Sequence, residues 1–154
     1  MARDQPQATD IVTTLQTAPP YCTEDAPHFG LDIPFMRYLG LQAEHLEHGY
    51  ARARLPVNPR LANSRGDVHG GTLMSVLDFL MSSAARGHDP LGVGLATIEM
   101  STHFLNSAQG ELVFEARVLK RGRSTAFCEG SVTDADGATV CVARATFRLI
   151  QRNK

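Results

Sequence analysis

The chain of 154 residues contains no tryptophan, only three cysteines and almost no lysine. Cys22, Cys128 and Cys141 form no closely spaced pair, so neither a disulfide framework nor a zinc site is indicated. The formal net charge is −1, whereas nucleic-acid binding usually needs a basic surface. We therefore expect no nucleic-acid partner.

Long apolar runs are also missing. No segment reaches the length of a transmembrane helix, and the first residues lack the apolar stretch of a signal peptide, so we expect a cytoplasmic protein with no membrane partner. The chain has no glycine-rich phosphate loop of the nucleotide-binding type and no G-x-S-x-G element of a serine hydrolase. Its six histidines are scattered without metal-ligand spacing, so no metal is expected.

What is present suits one soluble globular domain. Hydrophobic residues make up 43% of the chain and charged residues 20%, and the length allows a sizeable core. Residues 1–32 are rich in Pro, Thr, Gln and Asp and predict a partly ordered arm, in which Asp10 to Gln16 has the pattern of a short helix. The domain itself is predicted to occupy residues 33–154.

One stretch organises the domain: a polar loop over residues 63–71, which ends in two glycines, runs directly into an apolar segment from Thr72 to Ala85. The apolar segment predicts a helix with a core stripe at helical spacing, formed by Leu73, Val76, Leu77, Leu80 and Ala84. Its single charged residue, Asp78, shares a neighbouring stripe with Met74 and Met81. Because a charge is expensive to bury without a partner or a task, we look for function here.

The rest of the domain alternates with a period of two. Two strands, at 41–47 and 50–57, precede the helix, and four follow it, at 95–105, 111–120, 124–133 and 138–150. Two strands, one long helix and four strands predict an α+β domain in which a curved antiparallel sheet wraps the helix.

Helix geometry suggests a site between two chains. The first turn of a helix offers unpaired N–H groups suited to a developing oxyanion, and Gly70 and Gly71 let a substrate approach that backbone closely. Asp78 lies eight residues beyond Gly70, about 12 Å along the axis. A single helix cannot aim both groups at one carbonyl carbon, whereas two antiparallel copies can.

The residues Asn63, Gly66, His69, Gly70, Gly71 and Asp78 resemble the N-x-x-G-x-x-H-G-G-x6-D pattern of hotdog-fold acyl-CoA thioesterases, most closely the phenylacetate-pathway and 4-hydroxybenzoyl-CoA thioesterase-like branch. The resemblance covers roughly residues 36 to 150. It implies the hotdog fold, in which a curved antiparallel sheet wraps one long central helix.

The resemblance also implies roles for the site residues. Gly70 would donate its backbone N–H to the thioester carbonyl, and Asp78 would act either as the general base for water or as a nucleophile that forms a mixed anhydride. Asn63 would help to position the thioester or the water; the alternative is an ordinary loop residue that caps a turn. Thr97 falls where family members often carry a Ser or Thr that orients water; the alternative is an ordinary half-buried strand residue. His69 is either a structural residue of the helix entrance or a participant in the chemistry.

Other residues are candidates for holding the substrate. Arg121 and Arg123 flank Gly122 in a turn, where they would suit the phosphates of coenzyme A, although a solvated turn is the commoner explanation. Arg65, in the loop before the helix, is a weaker candidate of the same kind. The acyl pocket, aryl or medium-chain, has four candidate lining residues on the helix: Leu73, Met74, Leu77 and Met81.

Taken together, the residues and the resemblance predict an acyl-CoA thioesterase that works as a homodimer or homotetramer. It would need no cofactor, because coenzyme A is part of the substrate and a thioester is already an activated acyl group. The alternative is a non-catalytic acyl-CoA-binding or regulatory protein on the same fold. Asp78 argues against that alternative, because a binder has little use for a charge beside an acyl chain.

Overall fold

A computed structural model describes residues 21–152 of the chain. The elements follow the predicted order, with a short α1 before the first strand. The helices are α1 (Pro34–Leu39) and α2 (Gly70–Arg86), with a 3-10 turn at Pro59–Leu61. The strands are β1 (Gln42–Glu47), β2 (Tyr50–Leu55), β3 (Val93–Phe104), β4 (Leu112–Arg121), β5 (Thr125–Thr133) and β6 (Thr139–Gln151). The helix predicted at residues 10–16 lies outside the described residues.

The six strands form one antiparallel sheet in the order β1-β2-β4-β5-β6-β3. Helix α2 packs against one face of this sheet and contacts all six strands. Within residues 21–152, β3 pairs only with β6, so its other edge is open along the side of α2. The predicted antiparallel sheet around one long helix is therefore observed.

The core lies between α2 and the sheet. All five residues of the predicted helix stripe, from Leu73 to Ala84, are buried. Close packing depends on Gly130 in β5, because a Cβ there would lie 2.9 Å from Cδ2 of Leu77, well inside ordinary contact. The helix axis is thus held at a fixed height above the sheet, which sets where its exposed side chains stand.

The segment before α1 is anchored to the far end of α2. Phe29 is fully buried and its ring stacks on that of Phe79, with the centroids 6.0 Å apart. The buried Arg86 donates to the carbonyl of Phe29 at 3.3 Å and to that of Pro90 at 2.5 Å. Burial lowers the pKa of Arg86 to about 10, which leaves the guanidinium charged at neutral pH. Neither helix described within residues 21–152 has the length and hydropathy that a membrane span requires.

Candidate active site

The first turn of α2 leaves one backbone donor free. His69 is the N-cap, and its Nδ1 accepts a hydrogen bond from the N–H of Gly71 at 2.9 Å. The N–H groups of Thr72 and Leu73 donate to the carbonyl of His69 at 2.9 and 3.3 Å. The N–H of Gly70 donates to no protein atom in the described part of the chain. A free N–H at a helix N-terminus has the chemistry that the predicted oxyanion donor requires.

His69 caps α2 with its imidazole ring, whose Nδ1 accepts the hydrogen bond from the Gly71 N–H. The ring therefore has the predicted structural role, since its cap hydrogen bond holds the loop onto the helix.

A Cβ at either glycine of the helix start would crowd a neighbouring side chain. Neither glycine has a positive φ, so the backbone conformation itself does not require glycine there. A Cβ on Gly70 would lie 3.1 Å from Cε1 of Phe104, and a Cβ on Gly71 would lie 3.0 Å from Nδ1 of His69. Each distance is shorter than an ordinary carbon contact. The open approach to this backbone, predicted from the two glycines, is therefore bounded on one side by a phenyl ring.

The loop before α2 is tied together by Asn63. Its Oδ1 accepts from the N–H of Arg65 at 2.9 Å and from that of Asp67 at 3.2 Å. Its Nδ2 donates to no protein atom among residues 21–152, so the amide end is free to face a ligand. The Arg65 guanidinium lies 3.4 Å from Asp67 and is 76% exposed. Asn63 thus has a structural role in the loop and one unused donor.

Asp78 and Thr97 are brought together as a pair. The Thr97 hydroxyl donates to Oδ1 of Asp78 at 2.7 Å, although the two residues lie 19 positions apart. The pairing of β3 with β6 shifts by one residue between Thr97 and Glu99, which makes a β-bulge. Bulges re-aim side chains next to functional sites, and this one lies where Thr97 turns toward α2.

The expectation of a buried carboxylate among thioethers is wrong for the single chain. Asp78 is only partly buried, and Met74 is 38% exposed, while Met81 is fully buried in the core. Helical spacing alone could not distinguish these positions, because the sheet wraps further around one side of α2 than the other. Of the four pocket candidates on the helix, Leu73, Leu77 and Met81 are core, and Met74 alone is exposed.

The predicted reactive groups therefore form two separate sets on one chain, here called half-sites. Gly70 and its cap stand at the start of α2, and the Asp78–Thr97 pair stands about two turns further along the same helix. No described contact joins the two half-sites within the chain.

Arg121 and Arg123 lie away from both half-sites. Arg121 is the last residue of β4, and its Nη2 forms a hydrogen bond with Nε2 of His88 at 2.6 Å, just past the end of α2. Burial, helped by the neighbouring Arg121 charge, lowers the pKa of His88. Arg123 is exposed in the following turn. His88 was not predicted from the sequence, since nothing in its local pattern points across the sheet to Arg121.

Two of the hollows on the surface of the described residues are large enough to hold a ligand. The smaller, about 420 Å³, adjoins the helix start between α1 and α2 and is lined by His69, Gly71, Ser75, Phe35 and Tyr38 among others. The larger, about 580 Å³, lies on the other face of the sheet between charged residues such as Glu115 and Arg117. Volume alone would favour the larger hollow as the substrate site, but every predicted reactive group lies on the helix side of the sheet.

Comparison with known proteins decides the family. The family model for the thioesterase superfamily matches residues 65–141, which is half of the chain. A provisionally named esterase of Halobacterium salinarum is 30% identical over 131 residues, covering 78% of this chain and 87% of that protein. This chain belongs to the thioesterase superfamily. The predicted family and the prediction of a thioester-hydrolysing enzyme are both confirmed.

Two further relatives extend the comparison. The crystal structure of a thioesterase family protein from Silicibacter pomeroyi matches this thioesterase with a TM-score of 0.73 at 26% identity, over 78% of this chain and 91% of that one. The predicted hotdog fold is thereby confirmed. A Listeria monocytogenes protein named 1,4-dihydroxy-2-naphthoyl-CoA hydrolase is 23% identical over 117 residues, covering 75% of this chain and 95% of that protein.

The absence of a metal site was expected from the sequence. Among residues 21–152, no three His, Cys, Asp or Glu side chains converge as metal ligands. Burial raises the pKa of Cys128 to about 12 and that of Cys141 to about 11, so neither thiol supplies a thiolate near neutral pH. Asp78 is the residue that the sequence predicts as the base or nucleophile for the attack on the thioester.

Proposed function

We propose that this thioesterase hydrolyses acyl-CoA thioesters at a site shared by two subunits. The observation that carries the proposal is the pair of half-sites: a free N–H at Gly70 and a carboxylate, Asp78, fixed by Thr97. They are complementary in chemistry, but they stand too far apart on one helix to act on one carbonyl. A second copy, placed along the open edge of β3 with its α2 antiparallel, supplies the missing half.

In the proposed reaction the Gly70 N–H of one subunit donates to the thioester carbonyl oxygen and stabilises its negative charge as the tetrahedral intermediate forms. Asp78 of the other subunit takes a proton from water, whose oxygen bonds to the carbonyl carbon. Alternatively, the carboxylate itself attacks, and water then hydrolyses the mixed anhydride. The carbon–sulfur bond breaks, the thiolate of coenzyme A takes up a proton, and the acid leaves.

Coenzyme A as the carrier is supported by the name of the Listeria relative and by the arginines. Arg121 and Arg123 at one end of α2, together with Arg65 near the other, are proposed to bind its phosphates. Among residues 21–152, neither Arg121 nor Arg123 has a carboxylate within salt-bridge distance. Their charges are therefore free for an anionic ligand. Met74, exposed between the half-sites, is proposed to contact the acyl group.

The Gly70 N–H can be tested without disturbing the helix. Proline is favoured at the first helical position, and His69 already has the extended backbone, φ −60° and ψ 136°, that a residue before proline prefers. Gly70→Pro therefore removes the N–H from a compatible backbone, and Gly70→Ala adds a Cβ but keeps the N–H. We expect proline to lower kcat about 100- to 1000-fold further than alanine does.

Both Gly70 and Asp78 are tested by measuring the release of free thiol from a panel of acyl-CoA thioesters. Asp78→Asn keeps an oxygen for the Thr97 hydroxyl, and we expect a loss of at least about 100-fold in kcat. Asp136→Asn, in an exposed hairpin, is the matched control and should keep full activity. If the wild type binds acyl-CoA and releases no thiol from any member of the panel, the protein is a binding module and the proposal fails.

A further inference from the structure

The ring of Phe104 stands directly beside the free N–H of α2. Phe104 is the last residue of β3 and pairs with the buried Cys141, so its side chain faces α2. Atoms Cε1 and Cζ of the ring would lie 3.1 and 3.2 Å from a Cβ on Gly70. The ring thus fills the space that any side chain at position 70 would occupy.

Phe104 does not have the burial of a core residue. It is 52% exposed, whereas Phe29, Phe114 and Phe147 are completely buried. The large apolar ring of Phe104 is half-exposed beside the proposed donor, the Gly70 N–H. Its exposed face can therefore contact a ligand bound at that N–H.

A carbonyl bound to the Gly70 N–H must bring its neighbouring atoms close to this ring. An oxygen 2.7–3.1 Å from the nitrogen places the α-carbon of the acyl group within about 5 Å of that nitrogen. Met74, one turn along α2, is also partly exposed, and its side chain leans toward the N-terminus of the helix and so over Gly70. Apolar groups on both β3 and α2 suit a hydrocarbon acyl group better than the amide-bearing arm of coenzyme A.

We propose that Phe104 is a specificity-determining residue, whose ring restricts the acyl α-carbon and excludes acyl groups that are branched there. This inference rests on the proposed function, because it requires the thioester carbonyl to bind at Gly70. An unbranched or flat acyl group passes the face of the ring, whereas a methyl group on the α-carbon meets it within contact distance. A hydrophobic wall of this kind discriminates by about 10- to 200-fold per methyl group.

The test compares thioesters that differ by one α-methyl group: phenylacetyl-CoA with 2-phenylpropanoyl-CoA, and hexanoyl-CoA with 2-methylhexanoyl-CoA. We expect the wild type to favour the unbranched member by at least tenfold in kcat/KM. Phe104→Ala should reduce that ratio about tenfold, and Phe104→Leu should give an intermediate ratio. Phe127→Ala, which removes another half-exposed ring from the opposite face of the sheet, should leave the ratio unchanged.

The outcomes separate the two proposals. If the wild type hydrolyses neither these four thioesters nor any other member of the panel, the proposed function fails. If it hydrolyses them and Phe104→Ala lowers both members of a pair equally, the ring supports the helix start or the subunit contact and the specificity role is refuted. Sedimentation of Phe104→Ala and of the wild type at the assay concentration shows whether a change in assembly accompanies that uniform loss.

Discussion

At the scale of single residues, the Asp78–Thr97 hydrogen bond is the contact on which the proposed chemistry most directly depends. Asp78 projects from the helix and Thr97 from the edge strand, so their 2.7 Å bond also fixes α2 against β3 at this point. Without the Thr97 hydroxyl, the carboxylate loses its one protein partner among residues 21–152 and can rotate away from the productive direction.

Thr97→Val keeps the branched shape of the side chain but removes the hydroxyl donor. A hydrogen bond to a charged group contributes about 1.5–3 kcal/mol, so we expect kcat to fall about tenfold or more. Thr97→Ser restores the donor and should stay within about threefold of wild type, by the same reasoning. Thr146→Val, on a neighbouring strand but on the outer face, is the control. Equal kcat values for Val and Ser at position 97 would show that the hydroxyl does not matter to the reaction.

At the scale of elements, the turn before α1 packs on the second half of α2. His28 is 1% exposed, and its Nδ1 accepts from the N–H of Ile33 at 3.2 Å. Burial, and then the nearby Arg37 charge, lowers the pKa of His28, while Asp32 acts weakly in the opposite direction. The folded protein therefore holds this imidazole neutral at a pH where the unfolded chain already protonates it.

That difference makes stability depend on pH. Because the unfolded state binds the extra proton, the free energy of unfolding falls as pH drops below about 6.5 and is fully recovered above it. His28→Asn replaces Nδ1 with an oxygen that accepts the same hydrogen bond but does not titrate. Urea unfolding at pH 7.5 and 5.5 should therefore show a larger loss of stability in the wild type than in the variant. Equal losses would mean that other groups, such as His88, account for the pH dependence.

The elements themselves could be predicted from the sequence because each carries its own period. The four strands after α2 were located to within about two residues. In β4, β5 and β6, residues buried against the helix alternate with more exposed ones, which gives the period of two. The loop-to-helix junction was located from its glycines. Interactions between elements could not be predicted, because no local pattern shows that Phe104 ends beside Gly70 or that His88 meets Arg121.

The partial exposure of Asp78 depends on how the sheet wraps around α2, and neither the residue type nor the helix pattern shows it. In the sequence it is the one charge in an apolar segment, and burial was the natural inference. In the single chain it lies on the stripe of α2 that the sheet leaves open, together with Gly71, Met74 and Ser75. Beside that stripe, the edge strand β3 exposes Ile98, which is 62% accessible. The proposed second copy would cover both this stripe and the edge strand.

At the scale of the whole molecule, the shared site predicts that two inactive variants can restore each other. If each site combines Gly70 of one chain with Asp78 of the other, a mixed dimer of Gly70→Pro and Asp78→Asn chains contains one site with both defects and one site with none. Because one of its two sites is intact, the purified mixed dimer should show about half of the wild-type activity per chain. The chains would be co-expressed with different tags, and the doubly tagged dimers purified and assayed for thiol release. Dimers of either variant alone set the background. If both groups came from the same chain, every site in the mixed dimer would carry one defect, and its activity would not exceed that background.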